Sequence, residues 1–446
     1  MSDTLSTSSP ATTSPATTSP ASTRTYLFAL VDGGGTVPPE LGAVRRLVER
    51  GHDVTVLAED SMADEVIATG AALRRWTTAP NRPTRLPDDD PTRDWECKNP
   101  LQLFDRLLDR QFVGPAPDYA KDVDAAIAVR RPDLVVCSMF ALGAMVAAEG
   151  AGIPFDMMMP NIYLLPAAGL PPMGLGLQPA RGVAGRTRDR AIHALIERSW
   201  AKGLPAINDL RRERGLAPLA RLWDQAEHAR RKLVMTSTAF DFPATMPDNV
   251  RYVGPVLDDP TWATAAAPPV TAHEPADRPF VLVAMSSTYQ DQQDSIQRVV
   301  DALGSLPVRA LVTSGPAIDP TIIDHEANVE VVQSASHQAL MPTAAVVVTH
   351  GGHGTVIKSL AAGVPLVILP HGRDQADNAA RVVARHAGVK VPRSSKPAKI
   401  AAAICRVLDD PSFADDARAL GEIIRRDAAS GALVRELEDL RVTCPS

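Results

Sequence analysis

Cysteine is scarce in this 446-residue chain, and the four present, Cys97, Cys137, Cys405 and Cys444, are scattered without any metal-binding spacing. That excludes a zinc-type cluster and suits a reducing cytoplasm. An excess of basic charge is also missing. Lys and Arg number 46 against 52 Asp and Glu, a formal net charge of −6. A nucleic-acid partner, which needs a basic face, is therefore not expected. No apolar run reaches the roughly 20 residues needed to span a bilayer. The first residues lack the basic start and apolar core of a secretory signal. A cytoplasmic protein with no transmembrane segment is the expectation. No G-x-S-x-G element of a hydrolase occurs.

What is present is ordinary for a globular protein, with 45% hydrophobic residues and enough length for two or three domains. Residues 1–24 repeat a Thr-Thr-Ser-Pro-Ala unit without core-forming side chains and read as a disordered tail. From YLFALV onward, apolar strands alternate with amphipathic helices. LGAVRRLVER places Leu41, Val44, Leu47 and Val48 on one face, and DVTVLAED follows as a strand. DLVVCSMF, IPFDMMM and KLVMTST continue the series, KLVMTST being the last strand of the first half. FVLVAMSS, VRALVTSG, VEVVQSA, AAVVVTH and PLVILPH form a second series. This alternation predicts two doubly wound α/β domains with parallel sheets. The boundaries fall at 25–255, a linker at 256–278 that is poor in large apolar residues, and 279–446 with helices from Pro397 to Glu438. Residues 77–95 read as a mobile loop, and Pro160 to Gly185 as an irregular wall.

The stretch from Val346 to Asn378 carries the chemistry. A buried Val run delivers His350 to the turn Gly351-Gly352-His353-Gly354-Thr355, and a helical segment follows. Glycines let backbone N–H groups approach a ligand, and a helix N-terminus supplies free donors and partial positive charge. That combination is a phosphate site. Gly363 closes the helix, and PLVILP leads a second strand to His371-Gly372-Arg373-Asp374-Gln375. Two strand ends thus face one crevice, one suited to phosphate and the other to hydroxyl groups. The alternative for these residues is a βαβ unit whose glycines serve packing alone. Gly33-Gly34-Gly35 lacks the third glycine of the dinucleotide fingerprint and has Pro38-Pro39 at the helix start, so NAD is not expected. Asp88-Asp89-Asp90 lies in a Pro-rich loop and reads as solvated, so no metal is assigned.

The motifs THGGHGT, LAAGVPLV and PHGRDQADN, in this order, resemble the signature of the nucleotide-sugar-dependent glycosyltransferases of GT-B fold, in the UDP-glucuronosyltransferase-like family. MPTAAVVVTHGG and NVRYVGPVLDDPTW extend the resemblance toward actinobacterial members, and it spans Tyr26 to about Ser430. It implies two facing Rossmann-like domains, a nucleotide-sugar donor as substrate, no cofactor or metal, and inversion at the anomeric carbon. It also implies a last helix that crosses back to the first domain. The donor site carried over is Ser287, Ala335, Ser336, His350, Gly351, Gly352, Gly354, Thr355, Asp374, Gln375 and Asn378. His350 and Thr355 would meet the diphosphate, Ser287 would lie over it, and Ala335-Ser336 would meet the base. His337 is a nearby candidate for the base edge. Asp374 and Gln375 would bond the sugar hydroxyls. Asn378 would help the phosphate or pack.

The resemblance also exposes departures. Plant relatives carry Trp and Glu where this chain has Ser334 and Lys358, so uracil stacking and ribose-hydroxyl recognition lack their usual groups. A dTDP-sugar would lose less than a UDP-sugar. The general-base position falls on Thr36 and its carboxylate partner on Ser138, so both halves of the usual dyad are absent. A hydroxyl is far too weakly acidic to rest as a base near neutral pH. Asp32, at a strand end, is the candidate substitute base, with turn capping as the alternative, and Glu40 is a second nearby carboxylate. The expected reaction is transfer of a sugar to a small, largely apolar natural product. A catalytically degenerate auxiliary partner of another transferase, or a nucleotide-sugar epimerase, are the competing readings. A homodimer is among the arrangements the sequence allows.

Overall fold

Continuous Val, Leu, Ile and Met runs, unbroken by polar alternation, are what strands covered on both faces require. The structure, a computed structural model, describes residues 23–260, 278–286 and 288–440 and places these runs in two parallel sheets. The first holds β1 (Thr25–Ala29), β2 (Asp53–Ala58), β3 (Ala72–Arg75), β4 (Leu134–Ser138), β5 (Phe155–Met159), β6 (Arg231–Val234) and β7 (Val250–Tyr252), in the order 3-2-1-4-5-6-7. The second holds β8 (Phe280–Ala284), β9 (Arg309–Thr313), β10 (Val329–Val332), β11 (Val346–Thr349), β12 (Leu366–Ile368) and β13 (Gly388–Lys390), in the order 10-9-8-11-12-13. These are two Rossmann-like domains of GT-B type. KLVMTST is not the last strand of the first sheet, because β7 pairs with β6 beyond it.

In each sheet the strand order reverses at one place, between β1 and β4 and between β8 and β11. Ligands bind outside the carboxyl ends of strands at such switch points. The first switch point carries the Asp32–Thr36 loop and Ser138; the second carries Ser286 and His350. The two sheets therefore present their reactive loops to each other. An apolar cluster joins the domains behind the cleft, with Ile162 and Phe240 of the first packed among Leu366, Ile368 and Val382 of the second.

The last described helix returns to the first domain. Helix Ala432–Glu438 sets Leu433 and Leu437 into the core formed by Tyr26, Phe28 and Val56. Arg50 and His52 bind the Glu438 carboxylate, the latter at 2.9 Å. The segment between β5 and the helix Gly182–Trp200 is irregular, with a single bridge from Ala168 to Thr245. Its Gly174 and Gly176 amides donate to Asp377 of the second domain at 2.5 and 2.8 Å. The loop at 77–95, expected to be mobile, is instead tied down. It forms short 3-10 turns, Asp94 pairs with Arg373 at 2.6 Å, and the Trp95 and Tyr289 rings meet edge-on at 5.1 Å.

Candidate active site

β11 ends at Thr349, and His350 follows as the first residue of the cradle. Gly351 has φ +98°, a conformation that L side chains rarely adopt. A Cβ there would lie 2.7 Å from Ile368 Cγ2 and 3.1 Å from the Gln375 carbonyl. Helix His353–Ala361 begins immediately, so the amides of His353, Gly354 and Thr355 belong to its open first turn. Its far end is closed by Gly363 at φ +76°, whose N–H bonds the Leu360 carbonyl while Val364 N–H bonds that of Ser359. This is the Schellman arrangement, and it stops the helix so that β12 can return to the sheet.

His350 is buried, and desolvation, helped by His371 and Arg373, lowers its pKa to about 3. It is therefore a neutral imidazole at physiological pH. Among the described residues the Gly35 carbonyl of the opposite domain lies nearest the missing Cβ of Gly354, at 3.9 Å, so the cradle opens onto the Gly33–Thr36 loop. Ser287 lies outside the described residues. Its neighbour Ser286 is buried and accepts from Gln290 Nε2 at 2.8 Å, and Thr288 Oγ1 accepts from Arg373 at 3.1 Å.

At the second strand end, Asp374 Oδ2 accepts from Asn161 at 2.8 Å and from Asn378 at 2.6 Å, so the first domain reaches the expected sugar subsite. Gln375 behaves differently from the expectation. Its Oε1 accepts from the His371 and Gly372 amides at 2.7 and 3.1 Å, and its Nε2 donates to Gln290 at 2.7 Å. The oxygen is fully used in shaping the loop, leaving at most one N–H for a ligand. Asn378 is fully buried and donates to the Gly351 carbonyl at 3.0 Å. It braces the cradle from behind and does not face the cleft, which corrects the phosphate-contact alternative.

The base-side loop holds Ala335, buried at the cleft, and Ser336, which caps the short helix His337–Leu340 by accepting from Ala339 N–H. His337 bonds Thr313 Oγ1 at 3.0 Å, and burial lowers its pKa to about 4. Lys358 is paired with Asp259 of the interdomain segment at 2.7 Å. Sequence reasoning missed Asp259. The signal available was the unexplained cation at 358, which needed a counter-charge.

Across the cleft, Thr36 is the N-cap of helix Val37–Glu49 but makes no capping bond, and its hydroxyl has no partner. Asp32 fails as the substitute base. Its side chain is fully buried; Ser61 Oγ and Arg85 Nε donate to Oδ2 at 2.8 Å each, and Gly34 N–H donates to Oδ1 at 2.8 Å. Arg82 lies 3.3 Å from Oδ1. Burial works to raise its pKa, but Arg85 and Arg82 outweigh that and hold it below the ordinary value. An anion so stabilised has little proton affinity to offer an acceptor. Glu40 is the opposite case. Buried, it is pushed well above the carboxylate range by desolvation, only partly offset by the Ser138 hydroxyl beside it. Ser138 itself is fully buried at the end of β4, its hydroxyl beside the Glu40 carboxyl. The four positions converge around the base site, and none of them rests as an accessible base.

Residues 297–440 match the family model described as Erythromycin biosynthesis protein CIII-like, C-terminal domain. A PGL/p-HBAD biosynthesis glycosyltransferase of Mycobacterium tuberculosis is 31% identical over 317 residues, covering 67% of this chain and 68% of that one. The 4'-demethylrebeccamycin synthase of Lentzea aerocolonigenes is 28% identical over 413 residues, covering 91% and 97%. Among solved structures, a calicheamicin glycosyltransferase superposes with a TM-score of 0.72 at 23% identity, covering 95% of this chain and 100% of the other. No helix among the described residues is long and apolar enough to cross a membrane.

Proposed function

The chain belongs to the GT-B glycosyltransferases of actinobacterial natural-product type, and on that premise we propose that it moves a sugar from a nucleoside diphosphate, dTDP in preference to UDP, onto a small, largely apolar acceptor whose nucleophile is already acidic. The observation that carries this reading is the His350–Thr355 cradle: a neutral imidazole and open helix amides at a strand end, facing the Gly33–Thr36 loop of the other domain. In the reaction, the acceptor oxygen, ionised with its proton released to solvent, forms a bond to the anomeric carbon as the bond from that carbon to the diphosphate oxygen breaks. The electron pair leaves on the diphosphate. The Gly354 and Thr355 amides and the His350 N–H donate to that developing charge, a preorganised electrostatic effect. Attack from the face opposite the leaving group gives inversion.

The acidity of the acceptor follows from the base site. Thr36 is a hydroxyl, Asp32 is locked as a stabilised anion, and Glu40 keeps its proton. A phenol, enol or carboxylic acid needs no strong base to become a nucleophile. A donor-consumption assay with dTDP- and UDP-sugars, with and without phenolic acceptors, tests the whole reading. Acceptor-dependent release of nucleoside diphosphate is the expected result. Nucleotide binding without turnover on any acceptor would point to an auxiliary protein, and acceptor-independent donor interconversion to an epimerase.

A further inference from the structure

The helix position that the family resemblance assigns to the nucleoside sugar carries a cation in this chain. Lys358 stands on helix His353–Ala361 with its ammonium 2.7 Å from Asp259 Oδ1. The other oxygen of Asp259 accepts from Ser336 Oγ at 3.0 Å and from Gln338 N–H at 2.9 Å. Asp259 is thus bonded at once to the loop expected to meet the base and to the helix position expected to meet the nucleoside sugar. It lines the cleft together with Lys358 and Ala335. Burial works to raise its pKa, and Lys358 and its hydrogen bonds outweigh that, so it is an anion. A carboxylate accepts about four hydrogen bonds. Among the described residues three are filled, which leaves one position on Oδ1. Of the other cleft-lining carboxylates, Glu65 is held by Arg85, Asp258 by Arg45 and Arg46, and Asp374 sits at the far strand end.

We propose that Asp259 accepts the hydrogen bond of the nucleoside 3′-hydroxyl, so that the carboxylate reading the donor comes from the interdomain segment, fastened by Lys358, and not from the helix. This rests on the reading of the cleft as a nucleotide-sugar site. The neighbouring Asp258 pairs with Arg45 and Arg46 of the first domain at 3.3 and 3.2 Å. Consecutive residues therefore hold the two domains, and a nucleotide bonded to Asp259 adds to the same junction.

The test is calorimetric titration of the full chain with dTDP and with 3′-deoxythymidine diphosphate. The wild type should bind dTDP roughly tenfold or more tightly than the 3′-deoxy compound, the scale of a hydrogen bond to a charged acceptor. Asp259→Asn should lose that factor for dTDP and little for the 3′-deoxy compound, bringing the two together. Equal affinity in the wild type overturns the assignment and needs no variant to fold. Equal losses for both nucleotides in Asp259→Asn also overturn it, since they would mark a scaffolding role. If the wild type binds neither nucleotide, the nucleotide-sugar reading falls as well.

Discussion

Two buried acidic residues close to each other, Asp32 and Glu40, are held in opposite protonation states by their neighbours. Arginines on Asp32 favour the anion, and the apolar enclosure of Glu40 favours the acid. The consequence for Asp32 can be measured. Changing it to Asn removes the counter-ion that Arg82 and Arg85 share and leaves them Glu59 and Glu65, so the cost is about 1–3 kcal/mol of stability, the scale of buried hydrogen bonds left unmade. The expected outcome is a measurable fall in Tm by calorimetry. A variant of normal stability with a selective loss of turnover rate would instead make Asp32 the base. His350→Ala removes a donor from the cradle without disturbing the Gly351 backbone. Nucleotide affinity or turnover should fall at least about tenfold, the scale for a bond to a charged group, with Tm little changed. Unaltered nucleotide affinity and rate would move the diphosphate elsewhere.

At the scale of elements, the carboxyl ends of the second sheet collect histidines. His337, His350, His353 and His371 are all shifted down from 6.5, in each case chiefly by burial, to about 4, 3 and 4 for the first, second and fourth. The folded protein excludes protons that the unfolded chain accepts. Stability from these groups is therefore present above pH 6.5 and lost as pH falls from there toward 4. Each contributes a slope of up to about 1.4 kcal/mol per pH unit. Tm should drop steeply across that window, and His337→Gln should flatten the drop. A Tm indifferent to pH between 6.5 and 4 would contradict the burial of these rings. The same elements show what was legible in the sequence. The long apolar runs of β1, β4, β5, β8, β9 and β11 announced themselves. β3, β7 and β13 did not, because all three are edge strands of three or four residues, covered on fewer sides and so under less pressure to be apolar.

For the whole molecule, the features that escaped sequence reading are those made by two distant segments meeting. The cradle was legible because its glycines, helix start and strand are contiguous. The Asp259–Lys358 pair spans 99 residues, the Asp94–Arg373 tie 279, and the Asn161–Asp374 bond 213. Pattern alone cannot join such positions. They also decide how the cleft works, since each links the two domains, or the segment between them, to the donor side. The base site is a meeting of this kind, and it sets the last expectation. With Glu40 and Ser138 enclosed behind Thr36 and Asp32 held as an ion-paired anion, the rate should depend on how readily the acceptor gives up its own proton. Across a series of substituted phenols of similar size, kcat/KM should rise with pH up to each acceptor's pKa and then level off. Simple aliphatic alcohols of matching shape should react at least about two orders of magnitude more slowly, the usual worth of a missing general base. Introducing the dyad through Thr36→His with Ser138→Asp should narrow that gap by speeding the alcohols. Efficient transfer to an aliphatic alcohol by the unmodified protein, with a pH profile unconnected to the acceptor, would show that a base is present in the cleft after all.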